Sequence, residues 1–232
     1  MINVCIIPAR LASTRLANKV LLDIKGFSMI QLCYYRAKLL SNIDEVFVAT
    51  CDKEIGDHVK SFGGVVVYTS NKHKRAFTRT IEALTKIKKK HKKIKNCLMI
   101  QGDEPTFDLV SANNLVKIIF QKKAEIANLV MLTKNKKVIE SKDNIKVIED
   151  KSNNAIYMSR SIIPFDKLIK KSYLIQTGVI CFNYKFILKV KNLNETKLEK
   201  IESIDMNRLI ENRILIKFLK SNKLSIGIDT KK

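Results

Sequence analysis

Four short, largely apolar runs mark the first half of the chain: 2–7 (INVCII), 44–50 (DEVFVAT), 65–69 (VVVYT) and 96–101 (NCLMIQ). A strand with one face in water alternates polar and apolar residues. Runs that do not alternate need cover on both faces. Helix-length segments separate them: 28–40 (SMIQLCYYRAKLL), Lys53–Phe62, and a stretch from about Thr78 to His91. Strands alternating with helices predict an α/β fold with a mostly parallel sheet and helices on both faces. In such sheets ligands bind beyond the carboxyl ends of the strands. Those ends are the loops 8–19, 50–52, 70–77 and 101–105.

The second half has a different rhythm. Residues 126–132 and 144–149 read as strands joined by a lysine-rich connection. Residues 154–159 and 174–183 also read as extended. A helix over 196–212 follows, then strands 213–219 and 224–228. This half predicts a small mixed-sheet extension of the first, and residues 1–232 are expected to form one domain.

Composition narrows the function. The net charge is +22, but only eight of the 44 basic residues are Arg. Selection for phosphate contact favours Arg, whose planar fork grips two oxygens. A lysine-rich solvated surface is therefore the expectation, with no specific nucleic-acid partner. No apolar run approaches the ~20 residues of a membrane span. The start, Met1–Pro8, lacks a basic lead and reads as a strand, not a signal peptide. No membrane insertion is expected. The five Cys (5, 33, 51, 97, 181) form no C-x-x-C pair and are odd in number, which suits buried thiols in a reducing cytoplasm. His58, His73 and His91 are scattered.

Against a background poor in Gly and Pro, the few that remain point to turns. Pro8, Pro105 and Pro164 all fall at expected loop positions, as do Gly26, Gly63, Gly64 and Gly102. Two of these loops could carry chemistry. The segment Pro8–Lys19 has no glycine of a Walker loop, yet it places Arg10, Arg15 and Lys19 just beyond a buried strand. Such a cluster can hold a triphosphate by charge-assisted hydrogen bonds, or can be an ordinary basic loop. Asp103, in Gln101-Gly102-Asp103-Glu104-Pro105, is placed to hold Mg²⁺, or to cap a turn. Asp229, in Ile226-Gly227-Ile228-Asp229, ends the last expected strand and could share that ion.

Six motifs occur in order: I-P-A-R-L-A-S-T-R-L-x-x-K at 7–19, V-A-T-x-D at 48–52, G-G at 63–64, Q-G-D-E-P at 101–105, S-R-S-I-I-P-F at 159–165 and G-I-D-T at 227–230. Together they resemble the sugar-acid cytidylyltransferases, nearest the 3-deoxy-manno-octulosonate (Kdo) cytidylyltransferase family, over nearly the whole chain. The resemblance implies a nucleotide-diphospho-sugar transferase fold, with a nucleotide-binding half at 1–125 and a sugar-binding, dimerising half at 126–232. It implies a cytoplasmic homodimer that uses CTP and Mg²⁺ to activate an acidic keto-sugar, Kdo first, for lipopolysaccharide biosynthesis.

The same resemblance implies roles for residues. Ala9, Arg10, Ser13, Thr14, Arg15, Lys19 and Arg79 would bind CTP. Arg10, Lys19 and Asp103 would be catalytic. Asp103 and Asp229 would hold the metal, and Gln101, Arg160, Gln176 and Asp205 would bind the sugar.

Departures from the family pattern leave two alternatives open. The family loop H-x-S-G-T-[DE]-R reads His73-Lys74-Arg75-Ala76-Phe77-Thr78-Arg79. In R-L-P-x-K-P, Ala17 and Val20 replace both prolines. On the sugar side H-x-G-x-Y reads Gln176-Thr177-Gly178-Val179-Ile180, and L-E-Q-L-R reads Ile204-Asp205-Met206-Asn207-Arg208. These changes suit a different acidic sugar or a different base on the same fold. The +22 charge suits a non-catalytic nucleic-acid-binding relative. Family members also continue past the position of Asp229 into a terminal helix.

Overall fold

The first strand, β1 (Ile2–Pro8), is apolar throughout because it lies at the centre of a sheet covered on both faces. Val4 and Ile6 face one core, and Cys5 and Ile7 face the other. Each such side chain contributes about 1.5–3 kcal/mol by leaving water. The computed structural model describes residues 1–12, 18–90, 93–168, 171–221 and 223.

After β1 come a 3-10 turn at Lys19–Leu21 and the hairpin β2 (Asp23–Ile24) and β3 (Phe27–Ser28). Then follow α1 (Met29–Lys38), β4 (Glu45–Thr50), α2 (Lys53–Ser61), β5 (Val66–Tyr68), α3 (Ala76–Lys90) and β6 (Ile94–Ile100). The second half holds α4 (Leu109–Phe120), β7 (Ile126–Thr133), α5 (Lys136–Glu140), β8 (Lys146–Glu149), β9 (Ala155–Ser159) and β10 (Tyr173–Asn183). It closes with α6 (Tyr184–Val190), α7 (Lys197–Glu202), α8 (Asp205–Glu211) and β11 (Lys217–Lys220).

Among the described residues the main sheet has nine strands, ordered β11-β7-β10-β6-β1-β4-β5, with β8 and β9 extending from β10. β6, β1, β4 and β5 run parallel, as do β7 and β11. β10 is reversed and joins the halves: it pairs antiparallel with β6, β7 and β8. The expected α/β fold with a mixed extension is the one formed.

Several sequence expectations need correction. Pro8 closes β1 and is not a loop residue; its partner across the ladder is Ala49. The helix expected from Thr78 begins at Ala76, because Asp205 Oδ2 accepts from Phe77 N at 2.9 Å and fixes the first turn. The helix expected over 196–212 is two helices. Ser203 takes a left-handed conformation (φ 57°) between them, with Arg75 Nη1 donating to its hydroxyl at 2.9 Å. The strand expected at 213–219 is shorter, Lys217–Lys220, because Arg213 (φ 57°) still belongs to the turn after α8. α4, α5 and α6 occupy stretches where the sequence suggests no element. Asp108, Asn135 and Asn183 cap their first turns. The expected strand 224–228 lies outside the described residues.

The Gly63-Gly64 turn forms as expected, with Gly63 at φ 80° closing α2. Cys5, Cys33, Cys97 and Cys181 are buried and all five thiols are free. Burial pushes those four thiols up, so they stay protonated.

Candidate active site

Beyond the carboxyl ends of β1 and β6 the sheet opens into a cleft of about 630 Å³. Nine of the expected site residues line it: Ala9, Arg10, Lys19, Arg79, Gln101, Asp103, Arg160, Gln176 and Asp205. Ser13, Thr14, Arg15 and Asp229 lie outside the described residues.

The loop after β1 is anchored at its base. Ala9 N donates to Ala49 O at 2.9 Å, and Leu11 N donates to Asp52 Oδ2 at 2.8 Å. The acid of V-A-T-x-D thus fixes where the basic loop leaves the sheet. Arg10 is exposed at the cleft edge. Lys19 is buried, and its ammonium bonds Asp103 Oδ2 at 2.8 Å. The pair joins the two loops expected to meet phosphate and metal.

The Q-G-D-E-P loop is locked to β10. Gln101 N donates to Gly178 O at 2.9 Å, and Gly178 N donates to Glu104 Oε1 at 2.7 Å. A side chain at Gly178 would place its Cβ 2.7 Å from Gln101 Cβ, so only glycine permits this approach. Glu104, absent from the expected site list, is the residue that ties β10 to the acidic loop. Its signal was its place in the Q-G-D-E-P motif.

The cleft wall at 70–79 is fixed by hydrogen bonds around Arg79 and Glu82. Arg79 is buried and its guanidinium donates to Thr69 Oγ1 at 2.6 Å, Ser70 O at 3.4 Å and His73 O at 3.3 Å. Ser70 N donates to both oxygens of Glu82, which also contacts His73. Burial works against the Glu82 charge, but hydrogen bonds from Lys86, Ser70 and His73 hold its carboxyl down to about 2. Arg75 reaches away from this wall to Glu199 O and Ser203 Oγ. Glu199 in turn takes a bidentate grip from Arg208, at 2.6 and 2.7 Å.

The far wall belongs to the second half. Arg160 donates to the carbonyls of Glu202, Lys142, Asp143 and Ser203 at 2.9–3.4 Å. Burial opposes ionisation of Glu202, yet bonds from Ser159, Arg160 N and Tyr157 hold its carboxyl below the usual range. Lys146, fully buried, donates to the carbonyls of Ser141, Asn144 and Arg160. Burial, and then the Arg160 charge, push its ammonium down to about 8. Asp205 is pushed up to about 6 by burial, against the opposing bond from Phe77 N and the charge of Arg75. Gln176 donates from Nε2 to Asn128 Oδ1 at 2.7 Å. Ile180 and Met206 line the same cleft with apolar surface. Lys142, Asp143 and Asn144 also line this wall; as ordinary loop residues between α5 and β8 they carry no motif.

Among the described residues no helix is long and apolar enough to cross a membrane.

A model of the cytidylyltransferase family matches residues 4–220. A 3-deoxy-manno-octulosonate cytidylyltransferase of Fusobacterium nucleatum is 37% identical over 227 residues, covering 97% of this chain and 91% of that protein. The enzyme of the same description from Phocaeicola vulgatus is 38% identical over 236 residues, covering 97% and 91%. Among solved structures, a CMP:2-keto-3-deoxy-manno-octonic acid synthetase complexed with CTP superposes with a TM-score of 0.87 at 30% identity, covering 99% of this chain and 94% of its own. With a family model that spans the chain from its first strand to its last described one, and relatives alike over nearly their whole length, this chain belongs to the cytidylyltransferase family.

Proposed function

We propose that this enzyme transfers the cytidylyl group of CTP to a 3-deoxy keto-acid sugar, Kdo first, and releases pyrophosphate. The observation that carries this reading is the convergence of Arg10, Lys19, Asp103, Gln101, Arg160 and Gln176 on one cleft. The sugar's anomeric hydroxyl attacks the α-phosphorus in line and gives up its proton to water. The new oxygen–phosphorus bond forms as the bond to the bridging oxygen breaks, and pyrophosphate leaves. No protein nucleophile is needed; the residues act by positioning and by neutralising charge. Arg10 and Lys19 would neutralise the charge that builds on the departing pyrophosphate, with Arg15, Ser13 and Thr14 assigned to the same loop by family resemblance. Arg79 holds the 69–73 backbone as a cradle for the base.

The cofactor in this reading is Mg²⁺. Asp103 fits it: a carboxylate at a strand end, facing the cleft, with one oxygen on Lys19 and its side chain 27% exposed. Mg²⁺ needs few protein carboxylates and completes its shell with phosphate oxygens and water. Asp229 is the second ligand by resemblance. When bound, the ion would withdraw charge from the phosphates.

Three further elements belong to the same reading. Five free thiols suit a reducing cytoplasm. Phe165 and Leu168, 88% and 60% exposed in the second half, suit a homodimer interface, which sedimentation tests. The activated sugar would feed lipopolysaccharide assembly.

The test is pyrophosphate release from purified protein with Mg²⁺. CTP, UTP, ATP and GTP are each paired with Kdo and a panel of keto-acid sugars. Release with CTP and Kdo is expected. Release with CTP and another acid sugar alone would move the specificity to Gln176, Ile180 and Met206. Release with another nucleotide would favour the base alternative, which rests on the altered 73–79 loop. No release from folded protein that binds CTP would overturn the reading.

A further inference from the structure

We infer that Asn128 is a positioning residue that fixes Gln176 as a hydrogen-bond acceptor in the cleft, so that the sugar must offer a hydroxyl donor there. This inference rests on the proposed cytidylyl transfer to a keto-acid sugar.

The argument begins in the ladder between β7 and β10. Its register breaks between Gln176 and Ile180, so the backbone of residues 177–179 is not paired with β7. Buried carbonyls left by such a break need donors. Asn128, fully buried on β7, supplies them: its Nδ2 lies 3.1 Å from Thr177 O, 2.9 Å from Val179 O and 3.0 Å from Leu129 O. Thr177 Oγ1 also donates to Leu129 O at 2.9 Å.

Three carbonyls around one end of an amide leave no choice about which end it is. An oxygen there would face three acceptors, so the nitrogen must sit there. The other end of Asn128 is therefore the oxygen, an acceptor with no hydrogen to give. Gln176 meets that oxygen at 2.7 Å and must present its own nitrogen. The orientation of Gln176 follows in turn: Nε2 points to Asn128, and Oε1 is the end left for the cleft that Gln176 lines. Oε1 has no bond within the described fold. The cleft is thus offered a carbonyl oxygen at this point, fixed through two amides by the backbone of the register break.

A neutral acceptor of fixed direction discriminates. It binds a hydroxyl and rejects a carboxylate or ether oxygen, and it rejects a sugar lacking that hydroxyl because the buried side of the bond then has no partner. An imidazole at the same point could donate or accept according to its tautomer. Glutamine held by Asn128 can only accept.

The test uses the intact protein, CTP and a set of sugar analogues each lacking one hydroxyl. Wild type is expected to lose about tenfold in kcat/KM on one analogue of the set. Gln176→Leu is expected to lose about as much on the parent sugar, and nothing more on that analogue, with KM for CTP unchanged. Losses that multiply for every analogue would overturn the inference while leaving the transferase reading intact. Gln176→Glu supplies a second readout on a half-exposed residue that leaves the core alone. Its carboxyl can keep a proton for Asn128 Oδ1 only at low pH. Its kcat/KM for the sugar is therefore expected to fall, relative to wild type, as pH rises through that carboxyl's titration. Profiles parallel to wild type would overturn the role of Asn128. Wild type that turns over no keto-acid sugar with CTP would remove the transferase reading, and this inference with it.

Discussion

On the wall built by the first half, Lys19 and Asp103 hold one another and Arg10 stands exposed at the edge. On the opposite wall Arg160, Gln176 and Asp205 all bond to the fold itself. The first wall leaves the Arg10 charge open to a polyanion, with Lys19 paired to Asp103 behind it. The second turns its charged and polar groups into scaffolding and leaves the ligand a shaped surface with few offered atoms. Charge far outweighs shape in binding a triphosphate, whereas shape and single hydrogen bonds decide between sugars. Substitutions on the two walls should therefore fail in different ways: activity without stability on one, stability with activity on the other.

The largest effect is expected at Lys19. Lys19→Met should lower kcat for CTP-dependent pyrophosphate release by about 100- to 1000-fold, the loss typical of one preorganised charge-stabilising donor. Circular dichroism should still show the α/β fold. A loss under tenfold would erase the contrast between the walls.

Arg160 should behave oppositely. Arg160→Met deprives four carbonyls of their donor and should cost about 3 kcal/mol in denaturant unfolding. Arg10→Ala, on an exposed residue, should leave stability within about 0.5 kcal/mol. Equal stability for the two variants would show that Arg160 is not scaffolding.

Gly178 joins the walls. Gly178→Ala pushes a Cβ against Gln101 Cβ at 2.7 Å and against Glu104, and should cost about 2 kcal/mol as overpacking. It should also raise KM for the sugar more than for CTP, because β10 carries Gln176. An unchanged KM ratio would mean that the strand moves as a unit without disturbing the sugar wall.

The two walls also differ in how far the sequence betrays them. The strands β1, β4, β5 and β6 read directly, since parallel central strands such as Val4–Ile7 must be apolar on both faces. Arg10, Lys19 and Asp103 fall where the strand reading puts them, in loops beyond β1 and β6 that line the cleft. The helix break at Ser203 does not read directly. The segment Glu202-Ser203-Ile204-Asp205 contains no glycine or proline, and the break comes from distant partners: Arg75 on Ser203 and Phe77 N on Asp205. α4 escaped for a related reason. Its Val110 and Phe120 are exposed while Leu115 and Ile119 are buried, which blurs the helical stripe. Asn128 was the legible residue left unread. A lone amide inside Ile126–Thr133 requires buried partners, and those partners turned out to be the register break beneath the sugar wall.

The last effect concerns Asp205, and it asks whether that carboxylate serves the fold or the ligand. Its folded value of about 6 lies above the 3.8 of an ordinary aspartate, with burial as the main cause. The folded state therefore binds the proton more tightly than the unfolded chain. Below pH 3.8 both states are protonated and the group contributes fully. Between about 3.8 and 6 the unfolded chain ionises first, so stability falls as pH rises, and above about 6 the loss is complete. Asp205→Asn keeps an acceptor for Phe77 N but cannot ionise. Its unfolding free energy relative to wild type should improve by about 2 kcal/mol between pH 4 and pH 7. Arg75, 3.7 Å away, favours the ionised form, and the folded value of about 6 already includes its pull. A variant that instead holds a constant offset across that range, while losing sugar turnover at every pH, would place Asp205 among the groups that meet substrate. Scaffolding would then stop at Arg160, and the sugar wall would carry one charge of its own.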